Sequence, residues 1–237
     1  MLSVTDLTKR YGDHEAFADV SLDLEPGTLT ILIGRSGAGK TTLLRCLNGL
    51  EEPDAGRIRL DGEPIDPTDV ALVFQDGALL ETKSALANVL DGGLGREPVW
   101  RELLGWHDPD EKRAALERLH AVDLAGYADR RVGDLSGGER QRVGIARALQ
   151  QEPRVVLADE PVASLDPETA RAVLERLATV VSEHNLIGLV SLHQPQLADG
   201  LTDRYLGLAD GRLTLDATAD EVDPECLEEV YESDVTA

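Results

Sequence analysis

Gly34-Arg35-Ser36-Gly37-Ala38-Gly39-Lys40-Thr41 fits G-x-x-x-x-G-K-[ST] at every position. The apolar run Leu29-Thr30-Ile31-Leu32-Ile33 precedes it. A helical pattern follows, with Leu43, Leu44, Leu47 and Leu50 on one face. Strand, glycine loop and helix together are the context that a phosphate-cradling loop requires. The glycines let backbone N–H groups turn inward, and the helix N-terminus adds free donors and partial positive charge. Lys40 is placed for the β- and γ-phosphates and the Thr41 hydroxyl for Mg²⁺. The whole stretch, Gly34, Arg35, Ser36, Gly37, Ala38, Gly39, Lys40, Thr41 and Thr42, is the expected nucleotide-binding segment.

Outward from this loop, the 237 residues suit one α/β domain with an inserted subdomain. Leu2–Tyr11 and Ala16–Leu24 read as strands, with a turn at Pro26-Gly27 behind them. Arg57–Leu60 and Glu63–Ile65 flank Asp61-Gly62, a hairpin signal, so the first part predicts a small antiparallel sheet beside the nucleotide core. Val70–Phe74 reads as a buried strand ending at Gln75. Helical patterns follow over Ser84–Leu90, Pro98–Leu104 and Asp110–Val122, with Asp110 as the cap of the third. Asp91-Gly92-Gly93-Leu94-Gly95 lacks the spacing and the preceding strand of a dinucleotide fingerprint. Leu135–Arg142 opens a helix running to about Gln150, and Val155–Ala158 is a strand ending in Asp159-Glu160-Pro161. Asp166-Pro167 starts a helix with Ala170, Val173, Leu174, Leu177, Val180 and Val181 on one face. Ile187–Leu192 is a strand ending in His193, and Asp210-Gly211 marks a last hairpin.

The net charge is −22, from 45 acidic and 23 basic residues, with only four lysines among the latter. That charge repels nucleic-acid backbones, so no nucleic-acid partner is expected. The acid is spread along the chain and reads as adaptation to high salt, where the Debye length shrinks to about 3 Å at 1 M. No apolar run approaches the roughly 18 residues that span a bilayer. Met1–Asp6 lacks a basic stretch followed by an apolar core, so a cytosolic chain without a secretory leader is expected. Cys46 and Cys226 have neither disulfide nor metal spacing, and Cys46 reads as a small buried helix residue.

A phosphate loop needs a second carboxylate for its metal. Asp159 closes an apolar strand, as a Walker B aspartate does, and Glu160 is next to it. Neighbouring side chains at a strand end point in different directions. One carboxylate is therefore assigned to Mg²⁺ (Asp159) and the other to the attacking water as general base (Glu160).

With these motifs, Leu135-Ser136-Gly137-Gly138-Glu139-Arg140-Gln141 resembles the signature of the ATP-binding-cassette ATPases, and the likeness extends over nearly the whole chain. The resemblance implies a RecA-like mixed-sheet core with an antiparallel β subdomain and an inserted helical subdomain over about 76–150, the chain returning to the core over 151–237. It implies adenine stacking by Tyr11, a Gln75 that reaches Mg²⁺ and senses a membrane partner, and a Ser164-Leu165-Asp166 D-loop. His193 matches the switch histidine that contacts the γ-phosphate. Ser136, Gly137, Gly138 and Asp166 would serve ATP held by a second copy, in a head-to-tail ATP-sandwich homodimer. The implied setting is the cytoplasmic face of a membrane, beside a permease that is supplied by an extracellular binding protein. Within the family, Asn88–Leu90 with 93–106, Ala158–Ala170 and Ser191-Leu192-His193-Gln194 are most similar to phosphonate-importer ATPases. Asp76–Glu81 and Gln194-Pro195-Gln196 depart from that subgroup's pattern. Trp100 and Trp106 fit either a permease-docking groove or core packing. Another importer, an export or lipoprotein-release motor, and a soluble non-transport ATPase are the alternatives.

Overall fold

The structure is a computed structural model that describes residues 1–74, 78–94 and 108–222. Its chain opens with β1 (Leu2–Tyr11) and β2 (His14–Leu24), antiparallel, with Tyr11 paired to His14 across the turn. The core strand β3 (Leu29–Ile33) leads into the glycine loop and helix α1 (Lys40–Leu47). Strands β4 (Ala55–Leu60) and β5 (Glu63–Pro64) complete a four-stranded antiparallel sheet in the order β2-β1-β4-β5. The β4–β5 turn has positive φ at both Asp61 (52°) and Gly62 (85°), the twist-matched hairpin geometry that Asp-Gly favours.

After β6 (Val70–Val73) come three described helices, α2 (Ala85–Leu90), α3 (Pro109–Ala121) and α4 (Gly137–Leu149). The chain then returns through β7 (Val155–Asp159), α5 (Pro167–Glu183), β8 (Ile187–Ser191) and the hairpin β9 (Arg204–Ala209) and β10 (Arg212–Thr218). The second sheet has the order β10-β9-β3-β8-β7-β6. All its pairs are parallel except β9 with β10, so it is mixed, as expected.

This sheet is covered on both faces, which is why its central strands are apolar at nearly every position. Leu29, Ile31 and Ile33 point into one core with the helices α2 to α5, while Leu32 points into the other with α1 and the antiparallel sheet. Strand β7 divides in the same way, Val156 and Ala158 against Val155 and Leu157. All six residues predicted for the inner face of α5 are buried. Helix α1 has only eight residues, too few to hold together alone. Burial of Leu43, Leu44 and Leu47 anchors it, each side chain contributing about 1.5–3 kcal/mol.

Two local expectations are corrected. Leu50 does not extend the apolar face of α1. The helix ends at Leu47, Gly49 takes φ 75°, and Leu50 is exposed. The Leu50 N–H reaches the Arg45 carbonyl (2.9 Å) and the Gly49 N–H the Cys46 carbonyl (3.2 Å), a Schellman stop. The cap of α3 is Asp108, not Asp110: the Asp108 carboxylate accepts from the Asp110 N–H at 2.9 Å, and Pro109 occupies the first helical position. Gln75, the predicted helix over Pro98–Leu104, Trp100, Trp106, Cys226 and the acidic tail beyond 222 lie outside the described residues.

Candidate active site

The glycine loop is held between β3 and α1 by backbone geometry. Gly39, the residue before α1, has φ 101° and provides no side-chain cap. A Cβ there would lie 2.4 Å from the Ala16 carbonyl oxygen of β2. The loop therefore presses against the antiparallel sheet, and only glycine fits at the contact. At Gly37 (φ 87°) a Cβ would meet nothing within 4 Å, so only backbone conformation demands glycine there. The first N–H groups of α1, uncapped by any side chain, remain available to an anion.

Lys40 is buried, and its Nζ donates to the Gly34 carbonyl (2.6 Å) and the Arg35 carbonyl (3.1 Å). Burial lowers its pKa below the usual lysine value, while the charges of Glu160 and Asp159 oppose that shift. The ammonium thus lies in the field of both carboxylates predicted to share its site.

Those carboxylates stand at the end of β7, where register pairs Asp159 with Ser191 on β8. The Ser191 Oγ–H donates to Asp159 Oδ1 (2.8 Å), and Ser191 Oγ accepts from the Glu160 N–H (2.9 Å). Two residues on, His193 Nε2 lies 2.7 Å from Glu160 Oε1. Glu160 itself has φ 47°, a left-handed conformation that bends the chain sharply after Asp159.

The loop and Glu160 wall one cleft of about 290 Å³, together with Tyr11, His14, Ser36, Thr41 and Thr42. Tyr11 is half-exposed; its hydroxyl bonds the Glu51 carboxylate, and Lys9 Nζ lies 5.4 Å from its ring centroid. The Glu51 bond is the main reason its pKa is raised. On the far side of Glu160 is a second cavity, about 310 Å³, reaching His193, Gln194 and Leu165. A larger cavity of about 530 Å³ elsewhere is bordered by Asp69 and Glu152 and holds no basic group among its described lining residues. Its chemistry does not suit a polyphosphate.

The structure thus brings the predicted Tyr11, Ser36, Gly37, Gly39, Lys40, Thr41, Thr42 and Glu160 to one cleft, with Asp159 and His193 tied to Glu160. It does not bring Ser136, Gly137, Gly138 or Asp166 there: none is among the described residues of the cleft wall. Ser136 caps α4 in a reciprocal box with Glu139 (3.2 and 2.7 Å). Asp166 caps α5 by accepting from the Thr169 N–H (3.0 Å). These two helix starts touch, because a Cβ on Gly138 would lie 2.4 Å from the Thr169 methyl and one on Gly137 2.8 Å from Leu165. The signature and Asp166 form a second patch, separate from the phosphate loop of the same chain. Sequence reasoning missed His14, whose signal was its place opposite Tyr11 in the hairpin, and gave Ser191 no role.

The residues present fit a Mg²⁺-nucleotide. The cleft offers a buried ammonium, a hydroxyl at a helix start and two nearby carboxylates. Among the described residues no three His, Cys, Asp or Glu side chains cluster for a metal. Mg²⁺ takes one or two carboxylates and leaves other positions to phosphate and water, so the carboxylates and hydroxyl at this cleft are a donor set that it can use.

The sequence profile described as ABC transporter matches residues 17–163. The chain belongs to the ABC transporter family. Its family relatives include the phosphonates import ATP-binding protein PhnC 1 of Natronomonas pharaonis, 70% identical over 98% of this chain and all of that protein. The phosphonates import ATP-binding protein PhnC of Halobacterium salinarum is 44% identical over 97% of this chain and 83% of that one. Among solved ABC structures, cbiO1 of Clostridium perfringens, part of the transporter complex cbiONQ, superposes with a TM-score of 0.82 at 27% identity, covering 93% of this chain and 89% of that one. A dimeric bacterial ABC transporter cassette superposes with a TM-score of 0.77 at 28% identity, covering 92% and 99%. These neighbours share the ABC ATPase fold seen here, a mixed-sheet core with an antiparallel sheet and helices.

Proposed function

We propose that this chain is the ATP-hydrolysing subunit of an importer for phosphonate or a related oxyanion. One observation carries the ATPase half of the reading. Loop, Lys40 and Glu160 share a cleft, and strand β8 delivers Ser191 and His193 to the Asp159–Glu160 pair. The substrate half rests on the full-length 70% likeness to a phosphonates import protein. The acid-rich composition accords with that relative's host.

The glycine loop and α1 bind the triphosphate through N–H groups, with Lys40 exchanging carbonyl partners for phosphate oxygens. Tyr11 offers its ring to adenine. Thr41, Asp159 and Gln75 would hold Mg²⁺, which, when bound, neutralises charge on the β- and γ-phosphates. The Glu160 carboxylate takes the proton of the attacking water. His193, 2.7 Å from Glu160 Oε1, orients that carboxylate, and its match to the family's switch histidine supports a further contact with the γ-phosphate. Preorganised charge of this kind contributes most of the rate in phosphoryl transfer.

Ser136, Gly137, Gly138 and Asp166 serve the nucleotide of a second copy; their absence from the described wall of their own chain's cleft supports this. ATP then closes a two-fold dimer, and residues about 76–150 act as the helical subdomain that answers to a permease. No described helix is long and apolar enough to cross a membrane. As the partner of a permease, the subunit would work peripherally, on the cytoplasmic face of the membrane, with an extracellular binding protein presenting the substrate to the permease; the likeness to phosphonates import ATP-binding proteins supports this. The test is ATPase activity of the complex assembled with its permease and binding protein at high salt. Phosphonate should stimulate turnover while an unrelated amino acid or sugar does not. Stimulation by another solute instead would refute the phosphonate assignment.

A further inference from the structure

We propose that Ser191 is a positioning residue for hydrolysis, a single hydroxyl that sets the Asp159 carboxylate and the Glu160 backbone against each other. This rests on the reading of Asp159 as metal ligand and Glu160 as base.

Strand β8 is otherwise Ile187, Gly188, Leu189 and Val190, all buried, and packing alone would suit an apolar residue at its fifth position. Ser191 is fully buried, yet among the described residues its hydroxyl bonds no backbone carbonyl. It donates to Asp159 Oδ1 at 2.8 Å and accepts from the Glu160 N–H at 2.9 Å. Donor and acceptor are both committed, so the hydroxyl rotor has one orientation. The parallel register of β7 and β8 places Ser191 beside Asp159.

The second bond falls where the backbone is strained. Glu160 has φ 47°, which an L-residue adopts only at a cost in free energy. The Ser191 bond holds the N–H of that strained residue, and His193 holds its carboxylate from the same strand end. Asp159 Oδ1 is engaged by the serine, which leaves Oδ2 to turn toward the metal. Loss of the hydroxyl frees the Asp159 rotamer and the Glu160 kink together. Neighbours of this kind, one step removed from a metal, typically change metal affinity or activity by about 10–100-fold.

The experiment compares Ser191→Ala, Ser191→Cys and Ser191→Thr in the full chain, with Glu160→Gln as reference. Turnover, KM for ATP and the Mg²⁺ midpoint for binding a fluorescent ATP analogue are measured, the last independent of hydrolysis. Ser191→Ala and Ser191→Cys should lose about 10–100-fold in kcat and raise the Mg²⁺ midpoint, with metal-free nucleotide affinity unchanged. Ser191→Thr keeps the hydroxyl and should stay near wild type in both. If Ser191→Ala does not fold, the Cys and Thr pair decides, since the thiol keeps shape and loses most of the donor strength. Wild-type kcat and Mg²⁺ midpoint in Ser191→Ala or Ser191→Cys, with Glu160→Gln inactive, overturns the proposal alone. Full turnover in Glu160→Gln overturns the base assignment and this proposal with it.

Discussion

Gly39→Ala and Gly37→Ala separate two reasons for a glycine in the same loop. Both positions have left-handed φ, 101° and 87°, so alanine costs each about 1–2 kcal/mol in backbone strain. Both also gain about 0.4–1 kcal/mol from a stiffer unfolded chain, which cancels in the comparison. Only at Gly39 does the new methyl meet protein, 2.4 Å from the Ala16 carbonyl oxygen. That atom belongs to backbone in β2 and cannot rotate away, so the loop or the sheet must shift at about 1–3 kcal/mol. For a chain of this size that difference is a gap of roughly 2–12 °C in Tm. Thermal unfolding by circular dichroism, nucleotide-free and at fixed high salt, measures it. Gly39→Ala should melt below Gly37→Ala and should also bind ATP more weakly, since β2 and α1 meet through this contact. If the two variants melt together, the loop is not seated on β2 as described.

Three other outcomes follow from local structure. Burial raises the Cys46 thiol pKa from its ordinary 9.0 to about 11. A raised acid favours the folded state while it stays protonated, so stability should fall as pH rises from about 9 to about 11, and Cys46→Ala should flatten that slope in chemical denaturation. In a Cys226→Ser background, a thiol reagent at pH 8 should label Cys46 only as fast as the protein opens. Asp108→Ala should cost about 1 kcal/mol in urea unfolding as the loss of a helix cap, and Asp110→Ala much less; the reverse order would restore Asp110 as the cap.

The phosphate loop is legible from sequence because its glycines, Lys40 and Thr41 sit at fixed spacing between two periodic segments. The hairpins at Asp61-Gly62 and Asp210-Gly211 are legible for a similar reason: positive φ at both residues of each turn selects that dipeptide. Strand order is not legible. Strand β3 pairs with β8 and β9, more than 150 residues away, and no local pattern encodes the choice. Ser191 is invisible for the same reason, since its role exists only through the register of β8 on β7. Asp108 had a signal that periodicity overrode: Pro109 fits a first helical position, which puts the cap one residue before it. Leu50 shows the opposite error, an apolar periodicity continued past a glycine stop. The signature was readable as a motif serving a second copy, and its absence from the described wall of its own chain's cleft agrees with that expectation.

The most direct test of the account is the molar mass of the Glu160→Gln variant by light scattering at high salt. That change removes the base while leaving the glycine loop, Lys40 and the Ser136–Gly138 patch intact. With ATP the mass should double to that of a homodimer, and the same protein with ADP or with Lys40→Ala added should remain monomeric. A monomer at saturating ATP, in a variant that demonstrably retains the nucleotide, would contradict the claim that a second copy of this chain completes the site.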